Sequence, residues 1–418
     1  MTMTAHAVSA EKPAPCLARQ PILTKDEKVM GYEVLFRELP EGPESTSSSD
    51  HAPCGIVDTV KAIGFDVVSS GHFAFIPCAE VTLLQDALFD LPDDKVVAQI
   101  QPDIPASPSV MEACERLRKK GYKIAIGNYR SGEDREQLLR FADFVKIDWS
   151  QRGTGDCAQI AAAHAGKPYK LVAQNVDSRS DYRTAEKTGF TLFEGYFFHH
   201  PEKMRVRQIP AGQTSKLRLL QAVSAPEIDL ELVEELIRHD ASLCYRLMRY
   251  LNSPLLGLTA PVQTVRQAIN LLGVQALTRW VRTATALSMG QNKNSDLMLA
   301  SLIRARFCEL ISPKVAHGDA DLFLLGMFSL MDVILETPVA ILMDGLAFES
   351  NAKEALLAMH SGGGTRLSPI CDLTVAREKG DWTRVNTCAT NLNLSLQFVN
   401  RAYIEAMEWA HQMTRTSS

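Results

Sequence analysis

Two different spacings of hydrophobic residues divide the chain near residue 210. From about residue 15 to residue 208, short runs rich in β-branched and aromatic residues alternate with helix-like stretches, whereas from Lys216 onward apolar residues recur at helical spacing. Strands that alternate with helices indicate a mostly parallel sheet, and here there are enough strand–helix units for a β/α barrel. The pattern therefore predicts an α/β half followed by an all-α half.

Six runs in the first half have the length and composition of buried strands. They cover residues 29–36, 73–76, 96–100, 123–126, 144–147 and 170–173. Helices are predicted between them, among others at residues 110–120, 134–141 and 181–188. The segment 39–54 is rich in Pro, Gly and Ser, which is typical of a surface loop.

The second half shows the helical spacing most clearly at residues 228–239, where five apolar residues recur at helical spacing: Leu230, Leu232, Val233, Leu236 and Ile237. Pro226 and Asp229 are start signals for this helix. Two further helices are predicted at 241–251 and 265–272. The sequence Ile209-Pro210-Ala211-Gly212 marks the change of texture, and residues 209–215 are predicted to be a linker that acts as a hinge.

Composition narrows the class of protein. A chain of 418 residues with 46% hydrophobic and 22% charged residues is globular, and its length favours two domains. The net charge of −5 argues against a general nucleic-acid binder. The nine cysteines are odd in number and form no Cys-x-x-Cys pair, which favours free thiols in a reducing cytosol. No apolar run approaches the roughly 20 residues of a membrane span, and residues 1–14 are expected to be a flexible tail.

The first half resembles EAL domains, which are barrel enzymes that linearise cyclic di-GMP with divalent metal ions. The residues that carry the resemblance are Gln20-Pro21-Ile22, Gly31 to Arg37, Lys146-Ile147-Asp148, Ala173 to Asp177, Glu194 to Phe198, and Pro201. The tripeptide that names the family reads Glu33-Val34-Leu35 here. The resemblance covers residues 15–208 and implies a TIM-like β/α barrel.

Most of the metal-binding acids that the resemblance implies are replaced in this chain. Glu33 stands at the first ligand position. The other positions carry no carboxylate and read Pro77, Gln99, Gly127, Asn128 and Gln174. Hydrolysis of a phosphodiester needs hard oxygen ligands that hold Mg²⁺ or Mn²⁺ and activate a water molecule. One carboxylate cannot hold two such ions, so we expect no phosphodiesterase activity, no catalytic residues and no bound metal or other cofactor.

Ligand binding without turnover is a separate question. The resemblance places Arg37 opposite a substrate phosphate and leaves Tyr196 able to stack on a base. Glu194, however, replaces a glutamine of the family and adds negative charge where a dianionic ligand would lie. Bound cyclic di-GMP is therefore not expected. Glu33, Leu35 and Arg37 share one face of a strand, as do Lys146 and Asp148, which leads to the alternative that Glu33, Arg37 and Lys146 form a buried ion network.

The second half, residues 216–412, resembles the HDOD domains of bacterial signalling proteins. The matching segments are Ile237 to Leu243, Leu251 to Pro254, Ala268 to Gly273, Arg304 to Glu309, Leu325 to Leu330 and Ala406 to Ala410. HDOD domains are related to metal-dependent HD phosphohydrolases. The His-Asp doublet of those enzymes corresponds to Ser329-Leu330, and neither residue is a useful ligand for a divalent ion.

Three other motifs have simpler explanations than chemistry. His239-Asp240 falls at a predicted helix end, and His199-His200 has no acidic or cysteine partner at a familiar spacing. Gly362-Gly363-Gly364 lacks the Lys-Ser/Thr of a phosphate-binding loop.

The two resemblances together imply a cytoplasmic bacterial regulator that acts through contacts with other signalling proteins, mainly through its HDOD half, without nucleic acid or membrane. The open alternative is a sensor that binds cyclic di-GMP or another nucleotide without cutting it.

Overall fold

Eight strands in the first half close into one barrel. In the computed structural model, the residues described are 16–37, 55–132, 134–151, 154–199, 211–225, 227–251, 262, 264–289, 295–318, 320–335, 338–344, 350–361 and 364–417. The strands are β1 (Cys16–Thr24), β2 (Val29–Arg37), β3 (Phe73–Cys78), β4 (Val96–Ile100), β5 (Lys123–Ile126), β6 (Phe144–Asp148), β7 (Lys170–Gln174) and β8 (Leu192–Glu194). They follow one another around the barrel in chain order, and β1 alone runs antiparallel to both of its neighbours.

Short helices connect the parallel strands. They are α1 (Ile56–Ile63), α2 (Phe65–Ser69), α3 (Glu80–Leu84), α4 (Pro108–Lys120), α5 (Thr154–Ala163) and α6 (Arg179–Lys187). Ser107 caps the start of α4 through its side chain, and Gly121 ends the helix in the left-handed conformation. The predicted helix at 134–141 is a 3₁₀ helix, Asp134–Phe141.

The second half consists of helices in all of its described parts. They are α7 (Ala211–Ala222), α8 (Leu230–Arg238), α9 (Ala241–Leu251), α10 (Val265–Met289), α11 (Ser295–Ile311), α12 (Leu322–Phe328), α13 (Met331–Leu335), α14 (Val339–Asp344), α15 (Ser350–Ser361), α16 (Ser368–Lys379), α17 (Trp382–Asn391) and α18 (Leu396–Ser417). The predicted linker 209–215 overlaps α7, so residues 211–215 belong to a helix rather than to a hinge. The predicted tail 1–14 and loop 39–54 lie outside the described residues.

Local signals explain how two of these helices begin and break. Asp229 starts α8, where its side chain accepts hydrogen bonds from the backbone amides of Glu231 and Leu232. The second helix was predicted to end at residue 272, but α10 continues to Met289 beyond a break at Gly273 (φ 70°). Glycine tolerates this positive φ, so the chain turns there and resumes the helix at Val274.

The helices contribute to two hydrophobic cores, and α7 contributes to both, with Leu217 and Leu220 in the larger core and Leu219 in the smaller one. Side chains from α7 to α10, among them Val233, Leu247 and Trp280, pack in a separate core. The helices from α11 onward share one continuous core with the outer layer of the barrel, which includes Leu17 of β1 and Phe307 of α11. The boundary between the two cores therefore lies inside the helical half.

The later helices cover the antiparallel side of the barrel. Gly380, at the end of α16, approaches Leu35 of β2 so closely that an added Cβ would lie 2.7 Å from its Cδ1. Asn400 of α18 contacts the Cys16 sulfur of β1 at 2.8 Å, and Tyr32 of β2 donates a hydrogen bond of 2.5 Å to Asp296 of α11. Helices α11, α16 and α18 thus form the outer layer that β1 and β2 need.

Two composition-level predictions can be compared with the structure. The eight cysteines within the described residues are all free thiols, and seven of them are buried. A membrane-crossing helix, judged by length and apolar character, is absent from the described part of the chain.

Candidate functional site at the mouth of the barrel

The polar site is stacked directly on an apolar layer inside the barrel. That layer consists of Ile22, Phe75, Val97, Ala125, Phe144, Val172 and Leu192. Alternate residues of a strand point to the same face, so the residues two positions further along share the interior. They are Pro77, Gln99, Gly127, Lys146, Gln174 and Glu194. The strand period thus brings nearly all of the predicted positions to one end of the barrel.

Lys146 is the centre of this layer. Its side chain is fully buried, and its Nζ lies 2.8 Å from Glu33 Oε2 and 2.7 Å from Glu194 Oε2. The same ammonium donates a hydrogen bond of 3.0 Å to Gln99 Oε1. Gln99 in turn donates through Nε2 to Glu33 Oε1. We call these four residues the mouth network.

The pKa values of the two carboxyl groups of the mouth network are shifted in opposite directions. Burial raises the pKa of Glu33, but the charge of Lys146 and three hydrogen bonds outweigh it and lower that pKa to about 2. Burial raises the pKa of Glu194 well above its ordinary range, and the negative charge of Glu33 adds to the increase. Burial lowers the pKa of Lys146, yet the adjacent carboxyl groups raise it above its usual value. At neutral pH we infer an ionised Glu33, a charged Lys146 and a protonated Glu194.

Asp148 is used for local structure. Its Oδ1 accepts hydrogen bonds from the backbone amides of Ser150 (2.9 Å) and Gln151 (3.1 Å) and from the Ser150 hydroxyl (2.8 Å). Its Oδ2 accepts one of 3.0 Å from the amide of Asn175. This carboxylate therefore holds the turns that follow β6 and β7.

The ends of β4 and β5 are joined where the family has paired aspartates. An added Cβ at Gly127 would lie 3.1 Å from the carbonyl oxygen of Ile100, and Asn128 follows in the left-handed conformation (φ 41°). The buried guanidinium of Arg135 donates to the carbonyl oxygens of Gly127 (3.2 Å) and Gln101 (3.1 Å). Sequence analysis did not single out Arg135, because nothing in the neighbouring sequence indicates that its side chain binds backbone carbonyl oxygens at the ends of two strands.

The remaining predicted positions lie outside the mouth network. Pro77 and Gln174 are half-buried at the ends of β3 and β7. Arg37, which was predicted to join the ion network, is also half-buried and forms no hydrogen bond or ion pair with another residue in the described part of the chain. It stands at the very end of β2, four residues beyond Glu33. Glu194 takes the place that was predicted for Arg37.

Tyr196 belongs to the contact with the helical half. Its hydroxyl donates to Glu378 Oε2 at 2.6 Å and accepts from Arg304 Nη2 at 2.7 Å. Arg304 also binds Glu378 directly, and the ammonium of Lys379 lies 4.2 Å from the centre of the tyrosine ring. We call Tyr196, Arg304 and Glu378 the latch. Because its ring and its hydroxyl both contact residues of the helical half, Tyr196 is not free to stack on a base. The prediction that it could do so is therefore wrong.

A single glycine joins the latch to the mouth network. Gly195 stands between Glu194 and Tyr196, and an added Cβ would lie 2.0 Å from the carbonyl oxygen of Val176. The chain approaches the backbone of Val176, in the turn that follows β7, so closely here that no side chain fits.

The positions that correspond to an HD doublet are structural in this chain. The Ser329 hydroxyl donates to the carbonyl oxygen of Gly326 (2.6 Å) and accepts from Arg304 Nη1 (3.0 Å), and Leu330 is buried in the core. Asp240 caps α9 through the backbone amide of Leu243 (3.1 Å), as its place at a helix end predicted. Within the described residues, no group of three or more His, Cys, Asp or Glu side chains could hold a metal ion. His200 and Gly362-Gly363 lie outside those residues.

The chain matches one family model over part of its second half and two bacterial proteins over nearly its whole length. A family model described as the HDOD domain matches residues 209–335. YuxH, an uncharacterized protein of Bacillus subtilis, is 29% identical over 408 residues, which cover 95% of this chain and 98% of that protein. A Vibrio cholerae protein named cyclic di-GMP phosphodiesterase CdgJ is 29% identical over 406 residues, which cover 96% of this chain and 93% of that protein.

Two solved structures are also similar to part of the chain. A calcium and cyclic di-GMP complex of Klebsiella pneumoniae BlrP1 has 19% identity and a TM-score of 0.37, with 47% of this chain and 57% of that chain covered, which is less than two thirds of its length. An EAL domain protein of Listeria monocytogenes has 15% identity and a TM-score of 0.36, with 46% of this chain and 94% of that chain covered. The chain thus combines a closed eight-stranded barrel with a helical half that contains a matched HDOD segment, and it is similar to two bacterial proteins along nearly its whole length.

Proposed function

We propose that this chain is a non-catalytic bacterial signalling protein that acts through contacts with other proteins and does not hydrolyse cyclic di-GMP. The observation that carries the proposal is the position of Lys146. Its ammonium lies between the two carboxyl groups of the barrel mouth, Glu33 and Glu194. The positive charge between these two carboxyl groups is therefore the Lys146 ammonium, a group of the protein itself.

The remaining donors do not fit a pair of divalent cations. Mg²⁺ and Mn²⁺ select hard, preferably charged oxygen ligands. The described mouth offers the amides Gln99, Asn128 and Gln174, a proline and a glycine at the positions that the resemblance marks. Without bound metal there is nothing at this site to lower the pKa of an attacking water molecule.

The relative in Vibrio cholerae bears the name of a phosphodiesterase, so activity is the rival function. The test is calorimetric titration of the full chain with cyclic di-GMP, with and without Mg²⁺ or Mn²⁺, together with chromatography of the mixture. We expect neither heat nor linear product. Product that appears only with metal would overturn the proposal.

The sensor that binds without turnover is the second candidate, and the observation in its favour is Arg37, which no other described residue binds. Arg37→Glu separates the two functions. Under the sensor hypothesis, wild-type heat of binding is present and the variant loses it. Under the proposed function, neither protein gives heat, and thermal unfolding of the variant shows that the barrel is intact.

Protein contact would take place mainly on the helical half. None of the exposed large hydrophobic residues of the described chain is among the mouth residues named above, whereas three of the four, Leu232, Leu271 and Val274, lie on α8 and α10. We place the protein in the cytoplasm, where such signalling partners occur.

A further inference from the structure

A continuous series of polar contacts runs from the barrel mouth into the helical half. At the mouth, Lys146 Nζ lies 2.7 Å from Glu194 Oε2. Glu194 is the last residue of β8, and Tyr196, two residues further along the chain, belongs to the latch. One short segment thus has one side chain in the mouth network and another in the contact with the helices.

The backbone between these two side chains is fixed to the turn that follows β7. The Val176 amide donates a hydrogen bond of 2.9 Å to the carbonyl oxygen of Glu194, and the Val176 carbonyl oxygen accepts one of 3.2 Å from the Phe197 amide. The Tyr196 amide donates one of 3.0 Å to Asp177 Oδ1. These hydrogen bonds leave the segment little freedom to deform, so a displacement of Glu194 is passed on to Tyr196.

Arg304 of α11 connects Tyr196 to α12. Its Nη2 donates to the tyrosine hydroxyl (2.7 Å), its Nε to Glu378 Oε1 (2.8 Å) and its Nη1 to Ser329 Oγ (3.0 Å). A guanidinium is planar and rigid, so its three nitrogens move together. Ser329 donates in turn to the carbonyl oxygen of Gly326 in α12 (2.6 Å), and it is one of the two positions that correspond to the HD doublet.

Five buried side chains form this series, and we call them the relay. They are Lys146, Glu194, Tyr196, Arg304 and Ser329, none of which is more than 8% exposed. Water does not replace a partner that is lost in such surroundings, and a buried polar group without its partner is destabilising. The members of one buried hydrogen-bond network therefore depend on one another energetically.

We propose that the relay couples the barrel mouth to the contact between α11 and α12, so that a change at either end alters the stability of the other. Coupling of this kind is reciprocal. A partner protein that binds the helical half and shifts α11 against α12 would thus alter the mouth network. The inference goes beyond the proposed function and does not depend on it, because every contact of the relay lies inside the protein.

The test is a double-mutant cycle with Glu194→Met and Ser329→Ala in the full chain, measured by urea unfolding. Methionine removes the contact with Lys146 and nearly keeps the volume, while Glu33 still pairs with the ammonium. Alanine removes the acceptor of Arg304 Nη1. Once one contact is lost, the other has less to stabilise. The unfolding equilibrium constant of the double variant should therefore be at least about threefold smaller than the two single effects together predict.

Ser301→Ala is the matched control for Ser329→Ala. Ser301 is a buried serine of α11 whose hydroxyl donates to the carbonyl oxygen of Met327 in α12 (2.9 Å). Its loss also weakens the contact between the two helices, but it leaves the relay complete, so its cycle with Glu194→Met should be additive. In the background of Tyr196→Phe, the cycle of the two relay variants should become additive as well, because the hydroxyl that joins them is missing.

Methyl NMR follows the relay in the folded protein and provides the test even where Glu194→Met does not fold. The methyl groups of Val176 lie in the turn that holds Glu194 and Tyr196. Their resonances should shift in Ser329→Ala and stay in place in Ser301→Ala. Additive effects in the first cycle, unchanged Val176 resonances in Ser329→Ala, or equal shifts in both serine variants would overturn the proposal.

Discussion

Glu194 illustrates how one buried residue sets the charge of a whole site. Two carboxyl groups share the Lys146 ammonium, and only one of them is needed to neutralise it. A second ionised carboxylate would be a buried charge without a counter-ion, which is costly in a low-dielectric interior. The raised pKa of Glu194 favours its protonated form, which avoids this cost and would leave the mouth network electrically neutral.

Replacing Glu194 by glutamine should stabilise the protein increasingly as the pH rises. The folded-state pKa of Glu194 is raised, so above the unfolded pKa the folded state holds a proton that the unfolded state has lost. Wild type therefore loses stability with rising pH from this group, by at most about 1.4 kcal/mol per pH unit, until the folded pKa is passed. Urea unfolding of wild type and Glu194→Gln between pH 5 and pH 8 measures the growing difference.

The control is Glu115→Gln, which removes a half-exposed carboxylate near Arg140. Its stability should stay within about 0.5 kcal/mol of wild type at every pH. A difference between wild type and Glu194→Gln that is constant across the range would contradict a protonated Glu194. Glu33 has the opposite sign: its pKa is lowered to about 2, so its stabilisation is present above pH 4.5 and is lost as the pH falls toward 2.

Residue spacing predicted which side chains share the barrel interior, but not their depth or their partners. The period of two correctly places Glu33 and Lys146 on interior faces, and they meet. It also places Arg37 with Glu33, yet Arg37 lies beyond the mouth network at the end of its strand. Glu194 was read as an obstacle to a ligand, and in the structure it completes the ion network. Contacts across a barrel depend on the stagger of its strands, which no single strand encodes.

At the scale of elements, Gly326 sets the distance between α11 and α12. An added Cβ there would lie 2.5 Å from the carbonyl oxygen of Arg304. The two helix backbones are therefore in direct contact beside the latch arginine and Ser329. Close approach of this kind is possible only at a residue without a side chain.

Gly326→Ala should cost about 2 kcal/mol, because one helix must move to make room for the methyl group. Gly155→Ala is the control: Gly155 lies in α5 with nothing within 4 Å of an added Cβ, so its stability should be unchanged or slightly higher. Thermal unfolding of both variants measures the difference. Equal melting temperatures for the two variants would show that α11 and α12 are free to separate.

Element predictions succeeded where a segment carries its own complete signal. The strands β4 and β5 and the helix α9 have the predicted bounds, since each is a short run with a clear pattern of apolar residues. The helix α10 is longer than predicted because Gly273 breaks it without ending it. The strand β8 has only three residues, too few to show a period, and its pairing with β1 and β7 makes it a strand.

At the scale of the whole molecule, the larger hydrophobic core extends across the boundary near residue 210 that the sequence pattern marks. Helices from α11 onward pack on the barrel, while α8 to α10 pack with one side of α7; Leu217 and Leu220 of α7 belong to the core that is shared with the barrel. Periodicity shows that a helix has an apolar face, but it does not show what covers that face. The predicted domain boundary at residues 209–215 coincides with the change from α/β to all-α structure. The boundary between the two hydrophobic cores lies further along the chain, inside the helical half.

Hydrogen exchange should separate the two cores. We expect the amides of α8 to α10 to exchange through a partial opening of lower free energy, while the barrel strands and α11, α16 and α18 exchange together at the highest free energy. Exchange followed by mass spectrometry with increasing urea measures both. Barrel amides that exchange before those of α11 and α18 would contradict a shared core.

A substitution in the latch also tests whether the barrel and the later helices open together. Tyr196→Phe removes a hydroxyl that Glu378 and Arg304 both contact. It should lower the exchange free energy of β8 and of α16 by the same amount, about 1–2 kcal/mol, because two buried polar groups lose a partner. Glu408→Gln, at a partly exposed residue of α18, is the control and should change neither.

The covering of β1 and β2 by helices of the second half has a consequence for the evolution of the chain. Because β1 and β2 obtain their outer layer from α11, α16 and α18, neither half of the gene encodes a part that can be exchanged freely. Under the proposed function the barrel performs no chemistry, and such a barrel would ordinarily be free to decay or to be deleted. Here any selection that preserves the helical half would also preserve the barrel on which those helices pack.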